Sequence, residues 1–413
     1  MRPSKQSRPF LGVLLALAGL SGGIVACQGS EDAAGTGGAN SETAPDAGTP
    51  STSGVGGAGA DASGSGGHTG GAGASGSSGG SASGGSGGTT TTGAGGIAGT
   101  GGVTSGTGGA ATPDASSAVG GSSGRIRHVF VITMENEAAA AIYGSASAPY
   151  INGQLLPTAA RANAFADPLP DSIPSEPHYV WMEAGTNHFS DATFTTDADP
   201  SASNSTASTA HLATQMDAAS APVSWLSYQE GLNASTGACP VHSSGFYVAK
   251  HDPYVFFQDI AGSPPSASSA LCAAHHRAYT PAALAHDLQV GTVAQYNFIT
   301  PNVCNDMHGA TGCPGSDDIR SGDNWLAAAL PPLIAYANAN DGVIFVVWDE
   351  PVGGSTLIPF IAIGPQVKPG YASSVHFTHS SLTKTVEEIF GLPILPTVTS
   401  ANDLSDLFQT GAF

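Results

Sequence analysis

The sequence predicts an α/β fold, a doubly wound and mostly parallel sheet with helices on both faces, preceded by a disordered tether. In the C-terminal two-thirds, short apolar runs without polar alternation alternate with helical patterns, which is typical of parallel strands buried on both faces. The N-terminal segment is instead rich in Gly and Ser and shows no apolar periodicity. The remaining residues, about 290, are enough for one domain with a full core.

The first 27 residues have the pattern of an export signal. Basic residues precede an apolar run over residues 10–24, which is too short to span a membrane comfortably. The run ends in Ile24-Val25-Ala26-Cys27, which resembles the bacterial lipobox, whose cysteine is lipidated. We expect residues 1–27 to be a lipoprotein signal peptide and the exported protein to be lipid-anchored through Cys27 at the cell envelope, on the outer membrane or cell surface. An ordinary secretory signal cleaved nearby is the alternative.

Residues 28–124 are almost all Gly, Ser, Ala and Thr. Such a segment cannot bury enough apolar surface to offset the entropy of ordering, so we expect a disordered linker between the anchor and a folded domain at residues 125–413. The chain carries 11 Lys and Arg against 31 Asp and Glu, a formal net charge of −20. Because no basic cluster is present to pair with phosphates along a strand, we expect no nucleic-acid partner.

The cysteines agree with export. With Cys27 lipidated, Cys239, Cys272, Cys304 and Cys313 remain, an even number suited to disulfides in an oxidising compartment. Four cysteines allow three pairings, and sequence proximity favours Cys239 with Cys272 and Cys304 with Cys313. A zinc site is the competing interpretation, which the absence of any C-x-x-C pair disfavours.

Four apolar runs are predicted to be strands, at residues 128–133, 295–300, 343–348 and 358–363. Helical patterns occur at residues 324–337, after Gly322 and with a bend or restart at Pro331-Pro332, and at residues 381–390, before Gly391-Leu392-Pro393. Alternating strands and helices predict the doubly wound sheet.

Polar side chains follow the first three predicted strands: Glu135, Asn136, Asp306, His308, Asp349 and Glu350. One acidic residue after a strand is usually a turn former or a helix cap. Because the carboxyl ends of parallel strands meet at one edge of the sheet, three such coincidences favour a ligand site there. Carboxylate and amide oxygens suit Ca²⁺, Mg²⁺ or Mn²⁺ better than Zn²⁺.

Ser175, in Pro174-Ser175-Glu176-Pro177, stands at the predicted start of a helix. It has two interpretations, an N-cap or a phosphate-attacking nucleophile, because both place a serine hydroxyl beside the positive end of a helix. His251 and His308 are candidates for phosphate contacts or for protonating a leaving group, since imidazole titrates near neutral pH.

Eight motifs occur in a fixed order: HVFVITMEN, PSEPHYVWMEAGTNH, SWLSYQE, KHDPYVFF, NFITPNVCNDMH, GDNWL, VIFVVWDE and THSSLTKTVEEIFGLP. Over nearly all of residues 126–395 the chain thereby resembles the phosphoesterase family of acid phosphatases and bacterial phospholipases C, within the alkaline-phosphatase-like superfamily. The phospholipase branch usually continues its Glu-Asn with Arg-Ser-Phe-Asp. Here Glu137-Ala138-Ala139-Ala140 follows, which favours the acid-phosphatase branch.

The resemblance implies a divalent metal ion, a phospho-enzyme formed on Ser175, and a phosphate pocket lined by His251, Asp306 and His308. The metal would be surrounded by Glu135, Asn136, Ser175, Asp349 and Glu350. We therefore expect an acid-phosphatase-like phosphomonoesterase acting on a small phosphorylated substrate, with phospholipid headgroups among the candidates. The alternatives are a phospholipase C-like phosphodiesterase and a surface-displayed binding module without catalytic activity.

Overall fold

The computed structural model describes residues 125–170, 172–233 and 237–413. The predicted signal peptide with Cys27 and the predicted linker at residues 28–124 lie outside the described residues. Among the described residues, no helix has the length and apolar character needed to cross a bilayer.

The described strands form one sheet in the order β4-β3-β5-β1-β6-β7-β2-β8. Their bounds are β1 His128–Met134, β2 Ala160–Ala162, β3 Trp225–Glu230, β4 His276–Tyr279, β5 Tyr296–Thr300, β6 Gly342–Trp348, β7 Phe360–Ile363 and β8 Ala372–Ser373. Every pairing is parallel except those of β7 with β6 and with β2. The prediction of a mostly parallel α/β sheet is confirmed.

Eight α-helices accompany the sheet in the described residues. They are α1 Ala139–Ile142, α2 Ser175–Ala184, α3 Leu212–Ala218, α4 Gln258–Ala261, α5 Ala270–His275, α6 Pro281–Val290, α7 Asp318–Ala339 and α8 His379–Phe390. Short 3₁₀ turns at Ala249–His251, Pro253–Phe256 and Ser405–Leu407 and a π turn at Ile151–Leu155 complete the elements.

Helices lie on both faces of the sheet. Phe298 of β5 is in register with Val131 of β1, so both side chains point to one face. Tyr179 of α2 meets Phe298 on that face, with ring centroids 6.3 Å apart. The next side chain along β1, Phe130, points to the opposite face and contacts Tyr336 of α7 at 5.9 Å. Helices α2 and α7 therefore cover opposite faces, as the doubly wound fold requires.

Two elements differ from the sequence prediction. Strand β7 is antiparallel to β6, and no helix separates the two strands. Helix α7 begins at Asp318 because the side chain of Asp317 accepts a hydrogen bond from the Arg320 backbone N–H at 2.9 Å, which caps the helix. It then runs through Pro331 and Pro332 as one helix, so the predicted restart is wrong.

Both predicted disulfides are present. Cys239 is bonded to Cys272, and Cys304 to Cys313. Since all four thiols are consumed, the competing zinc interpretation of these cysteines is excluded. The second bridge closes the loop after β5 that carries Asp306.

A buried histidine at the N-terminus of α3 pairs with carboxylates of α2 and α4. His211 precedes α3, and its Nδ1 lies 3.1 Å from Oε1 of Glu183 in α2. Its Nε2 lies 3.1 Å from Oδ2 of Asp259 in α4. Burial alone lowers the pKa of His211, but the hydrogen bonds and charges of Asp259 and Glu183 outweigh it and raise the pKa to about 9. The imidazolium therefore holds α2, α3 and α4 together.

We expect this contact to make the protein less stable at alkaline pH. A histidine whose folded-state pKa is raised contributes stability that is fully present below about pH 6.5 and is lost as the pH rises through about 9. The melting temperature of the wild type should therefore fall from pH 7 to pH 9 more steeply than that of His211→Asn, which has no titrating group there. Equal slopes for the two proteins would show that His211 carries no charge in the folded state.

Candidate active site

The polar residues after the three central strands meet at one edge of the sheet. Strand β1 lies between β5 and β6, so Glu135 after β1 is flanked by Asp306 after β5 and Asp349 after β6. The Glu135 backbone N–H donates to the Asp306 carbonyl at 2.8 Å, and the Asp349 N–H donates to the Met134 carbonyl at 3.0 Å. All three carboxyl side chains are fully buried. Glu135, Asp306 and Asp349 therefore lie together at one edge of the sheet, as predicted.

Asn136 is fixed in the same cluster by the residues after β6. Its φ of 36° lies in the left-handed region, which asparagine tolerates better than most residues. Its backbone N–H donates to Asp349 Oδ1 at 3.0 Å, and its Nδ2 donates to Glu350 Oε1 at 3.2 Å. The Asn136 Oδ1 atom is buried and has no hydrogen-bond partner among the described residues.

Ser175 is the first residue of α2, and the N-cap position belongs to Pro174. The Ser175 Oγ lies 3.1 Å from Glu135 Oε2 and 3.2 Å from Glu350 Oε1, so its proton can pass to either carboxylate. The hydroxyl thus points into the carboxylate cluster. Ser175 is therefore not the helix cap, and its role as a nucleophile stays a prediction.

The N-terminus of α2 offers fewer free backbone N–H groups to a ligand than the sequence suggests. The backbone N–H of Glu176 donates to Asp197 Oδ1 at 3.0 Å, and Pro177 has no N–H. A ligand anion beside Ser175 therefore meets fewer helix N–H donors than the four that an uncapped helix would offer.

His251 lies within the same cluster. Its ring stacks on Tyr179, with centroids 4.9 Å apart and planes 9° apart. Its Nε2 is 3.3 Å from Glu135 Oε1, and its Nδ1 is 3.6 Å from Asp306 Oδ2. Burial, and then the charges of Lys250 and His308, lower the pKa of His251 well below its usual value, so this imidazole is neutral.

His308 occupies the outer end of the cluster. Its backbone N–H donates to Asp306 Oδ1 at 2.8 Å, and its ring centroid is 6.0 Å from that of His251. The side chain is exposed to solvent, unlike that of His251. All the predicted site residues are thus neighbours in one network, with His308 alone on the solvent side.

Two residues of α2 that sequence reasoning left without a role complete the network. Tyr179, one turn after Ser175, donates its hydroxyl proton to Glu135 Oε1 in a short hydrogen bond. His178 has its Nδ1 2.9 Å from the Pro174 carbonyl and its Nε2 2.9 Å from Asp167 Oδ1. Their positions three and four residues after Ser175, on the same helix face, were the available signal.

His178 is a cation in this arrangement. A carbonyl and a carboxylate both accept hydrogen bonds, so both ring nitrogens must donate. Burial by itself lowers the pKa of His178, but the hydrogen bond and charge of Asp167, with the charges of Asp349 and Glu350, raise it to about 9. Since neither nitrogen is left as an electron-pair donor, His178 is not a metal ligand in this geometry.

The cluster has the donors that a divalent cation requires. Ligand atoms of Glu135, His251 and Asp306 lie within 4.8 Å of one another, and so do those of Asp349 and Glu350. Burial raises the pKa values of the site carboxyls, and neighbouring carboxylates raise them further. Several donor atoms are buried without a hydrogen-bond partner among the described residues: Asn136 Oδ1, both ring nitrogens of His251, Asp306 Oδ2 and Asp349 Oδ2. Such atoms fit a cation, with oxygen donors in the majority and His251 adding a nitrogen.

Comparison with known proteins gives several relatives. The chain is 31% identical over 282 residues to a phosphatidylinositol-3-phosphatase of Mycobacterium tuberculosis, covering 68% of this chain and 82% of that protein. It is 27% identical over 185 residues to a phosphate-repressible acid phosphatase of Penicillium chrysogenum, covering 42% of this chain and 40% of that protein. An acid phosphatase of Aspergillus fumigatus is 26% identical over 187 residues, covering 42% of this chain and 38% of that protein. The chain thus spans less than half of each fungal relative.

Among solved structures, a phosphonate monoester hydrolase from Silicibacter pomeroyi is similar with a TM-score of 0.42 and 14% identity, covering 70% of this chain and 77% of that one. The murine ectonucleotide pyrophosphatase/phosphodiesterase 5 gives a TM-score of 0.45 and 10% identity, covering 68% of this chain and all of that one. The model of the Phosphoesterase family matches residues 153–393, more than half of the chain. With that match and the mycobacterial relative, the resemblance in the eight motifs is confirmed: the chain belongs to the Phosphoesterase family and is a phosphoester hydrolase.

Proposed function

We propose that the protein is a metal-dependent phosphomonoesterase of the acid-phosphatase type that acts through a phosphoserine at Ser175. The observation that carries this proposal is the position of the Ser175 Oγ, 3.1 Å from Glu135 Oε2 and 3.2 Å from Glu350 Oε1. A serine hydroxyl is a weak nucleophile unless a base is within hydrogen-bond reach, and here two carboxylates are.

In the first step, the Ser175 Oγ attacks phosphorus while the bond from phosphorus to the leaving oxygen breaks. The serine proton passes to Glu135, and we assign protonation of the leaving oxygen to His308 because it is the exposed histidine of the cluster. In the second step, water attacks the phosphoserine and gives a proton to His308, the bond from phosphorus to the Ser175 Oγ breaks, Glu135 returns the serine proton, and inorganic phosphate leaves. Positioning and electrostatics provide most of the rate in phosphoryl transfer.

Glu135, Asn136 and Asp349 would hold the metal ion, with Glu350 and Ser175 beside them. The buried Asn136 Oδ1 and Asp349 Oδ2, which lack hydrogen-bond partners among the described residues, support this assignment. When bound, the ion supplies positive charge that polarises a phosphoryl oxygen and lowers the cost of ionising a nearby hydroxyl. Oxygen donors favour Ca²⁺, Mg²⁺ or Mn²⁺.

The names of the relatives favour a monoester as substrate, since all three are phosphatases. The mycobacterial relative is named for a phosphorylated inositol lipid, which makes a phospholipid headgroup a candidate substrate here. We further propose that a lipid anchor at Cys27 holds the exported protein at the cell envelope, near such lipids. No described feature favours a binding module, because every site position carries a side chain able to act.

Turnover of three substrates tests this function. We expect faster hydrolysis of p-nitrophenyl phosphate and of short-chain phosphatidylinositol 3-phosphate, measured as released phosphate, than of bis-p-nitrophenyl phosphate. Preference for the diester would favour the phospholipase C-like alternative. If none of the three is hydrolysed at any pH or with any added divalent ion, the proposal of a phosphomonoesterase is wrong.

A further inference from the structure

An ion pair lies at the N-terminus of α2, beside the candidate nucleophile. Lys250 Nζ pairs closely with Asp197 Oδ2, and Asp197 Oδ1 accepts the Glu176 backbone N–H at 3.0 Å. Glu176 directly follows Ser175, so Asp197 fixes the ammonium group of Lys250 at the helix end that carries the serine hydroxyl. From the other side, Lys250 precedes His251, whose Nε2 is 3.3 Å from Glu135.

The Lys250 ammonium is able to take a further ligand. An ammonium has three N–H donors, and the hydrogen bond described for Nζ goes to Asp197. The side chain is 19% exposed, which leaves it accessible from solvent. The charge of Lys250 lowers the pKa of both Glu135 and Asp306. The positive charge of Lys250 therefore stabilises the ionised forms of carboxyl groups inside the cluster.

The site needs such a cation if its substrate is a monoester. A phosphate monoester carries two negative charges near neutral pH and a diester carries one, and both must approach four carboxyl groups at this sheet edge. Of the other cationic groups, His178 has both ring nitrogens engaged by Pro174 and Asp167, and His308 is assigned to the leaving oxygen. Lys250 is thus the side chain with both charge and donors available for the additional phosphate oxygen.

We propose that Lys250 binds a non-bridging oxygen of the substrate phosphate and makes the site favour dianionic monoesters over monoanionic diesters. This inference rests on the proposed function, because it assigns a specificity-determining contact within the same site. Asp197 has two opposed effects in this arrangement. Its carboxylate holds the ammonium in place, but it is also an anion close to the one that must bind.

The first test compares three lysine variants by calorimetric binding of inorganic phosphate and by kinetics on p-nitrophenyl phosphate and bis-p-nitrophenyl phosphate. Loss of a charge-assisted hydrogen bond in Lys250→Met should weaken phosphate binding by about tenfold to a hundredfold. The ratio of monoester to diester kcat/KM should fall by a similar factor. Lys250→Arg, which keeps the charge, should remain within a few-fold of wild type. Lys368→Met, which removes a lysine paired with Asp406, is the control and should change neither quantity.

The second test is Asp197→Asn, which keeps an oxygen for the Glu176 N–H but removes the competing charge. We expect phosphate to bind several-fold more tightly to this variant, whereas an ion pair of purely structural value predicts weaker or unchanged binding. The proposal is overturned if Lys250→Met, folded with a wild-type melting temperature, binds phosphate within twofold of wild type. If Lys250→Met does not fold, unchanged or weaker binding by Asp197→Asn overturns it equally.

The two proposals fail in different ways. A wild-type protein that hydrolyses no monoester contradicts the proposed function, but its binding of phosphate, and the effect of Lys250→Met on that binding, can still be measured. Conversely, wild-type monoesterase activity with unaltered phosphate binding in Lys250→Met leaves the function intact and removes Lys250 from the phosphate site.

Discussion

Ser175→Ala is expected to be folded and to lose phosphomonoesterase turnover by many powers of ten. Each tenfold loss in rate corresponds to only about 1.4 kcal/mol of barrier, so removal of a nucleophile is a large kinetic effect without a large structural one. Because Pro174 occupies the N-cap, the substitution removes no helix cap. It removes the hydroxyl that donates a hydrogen bond to Glu135 or Glu350, and the loss of that hydrogen bond should lower the stability by about 1 kcal/mol. The measurement is turnover beside the melting temperature.

Ser380→Ala is a matched control for this substitution. Ser380 is another buried helical serine, and its Oγ accepts the Trp181 indole N–H at 2.8 Å, away from the carboxylate cluster. Its loss should lower stability at least as much and leave turnover near that of wild type. Ser175→Thr keeps a hydroxyl and should retain partial activity if the site accommodates the methyl group. If Ser175→Ala keeps more than about a tenth of wild-type turnover, the serine is not the nucleophile and water must attack phosphorus directly.

The parts of the fold that could be predicted are those that depend on local sequence patterns. The strands ending before Glu135 and Asp349 are rich in β-branched residues and show no polar alternation, a pattern typical of a buried parallel strand. The convergence of their end residues then follows from the topology of a parallel sheet. Disulfide pairing by proximity succeeded because each bridge spans a short segment, of 33 and 9 residues.

The remaining features depend on contacts between distant segments that leave no local pattern. Strand β3 reads WLSYQE, and its Ser227 and Gln229 are buried because the strand lies inside the sheet between β4 and β5. Lys250 and Asp197 are separated by 53 residues of mostly irregular chain. His211 likewise meets Asp259 48 residues later. Because no sequence periodicity indicates such pairs, only the structure shows which distant side chains contact each other.

Removal of the proposed metal ion is expected to abolish turnover and lower the melting temperature. Glu135, Asp306 and Asp349 are buried together, and burial and mutual repulsion raise their pKa values. A bound cation offsets that repulsion and stabilises the native state by an amount that rises with the logarithm of its concentration, about 2.7 kcal/mol at a hundred times its Kd. For a domain of this size, each kcal/mol of added stability raises the melting temperature by roughly 2–4 °C. Dialysis against chelator, followed by titration with Ca²⁺, Mg²⁺, Mn²⁺ or Zn²⁺, measures both effects and identifies the ion.

Asp349→Asn separates a metal effect at this site from binding elsewhere. Asparagine keeps an oxygen that can accept the Asn136 N–H, so the turn after β1 is retained while one negative charge is lost. We expect this variant to show little or no metal-dependent rise in melting temperature and to be inactive. Asp323→Asn is the control, since Asp323 is equally buried but binds the backbone N–H groups of Tyr150 and Ile151; it should keep the metal response. An equal rise in melting temperature for Asp349→Asn and wild type would place the ion outside this cluster, and turnover that survives exhaustive chelation would show that the carboxylates act without one.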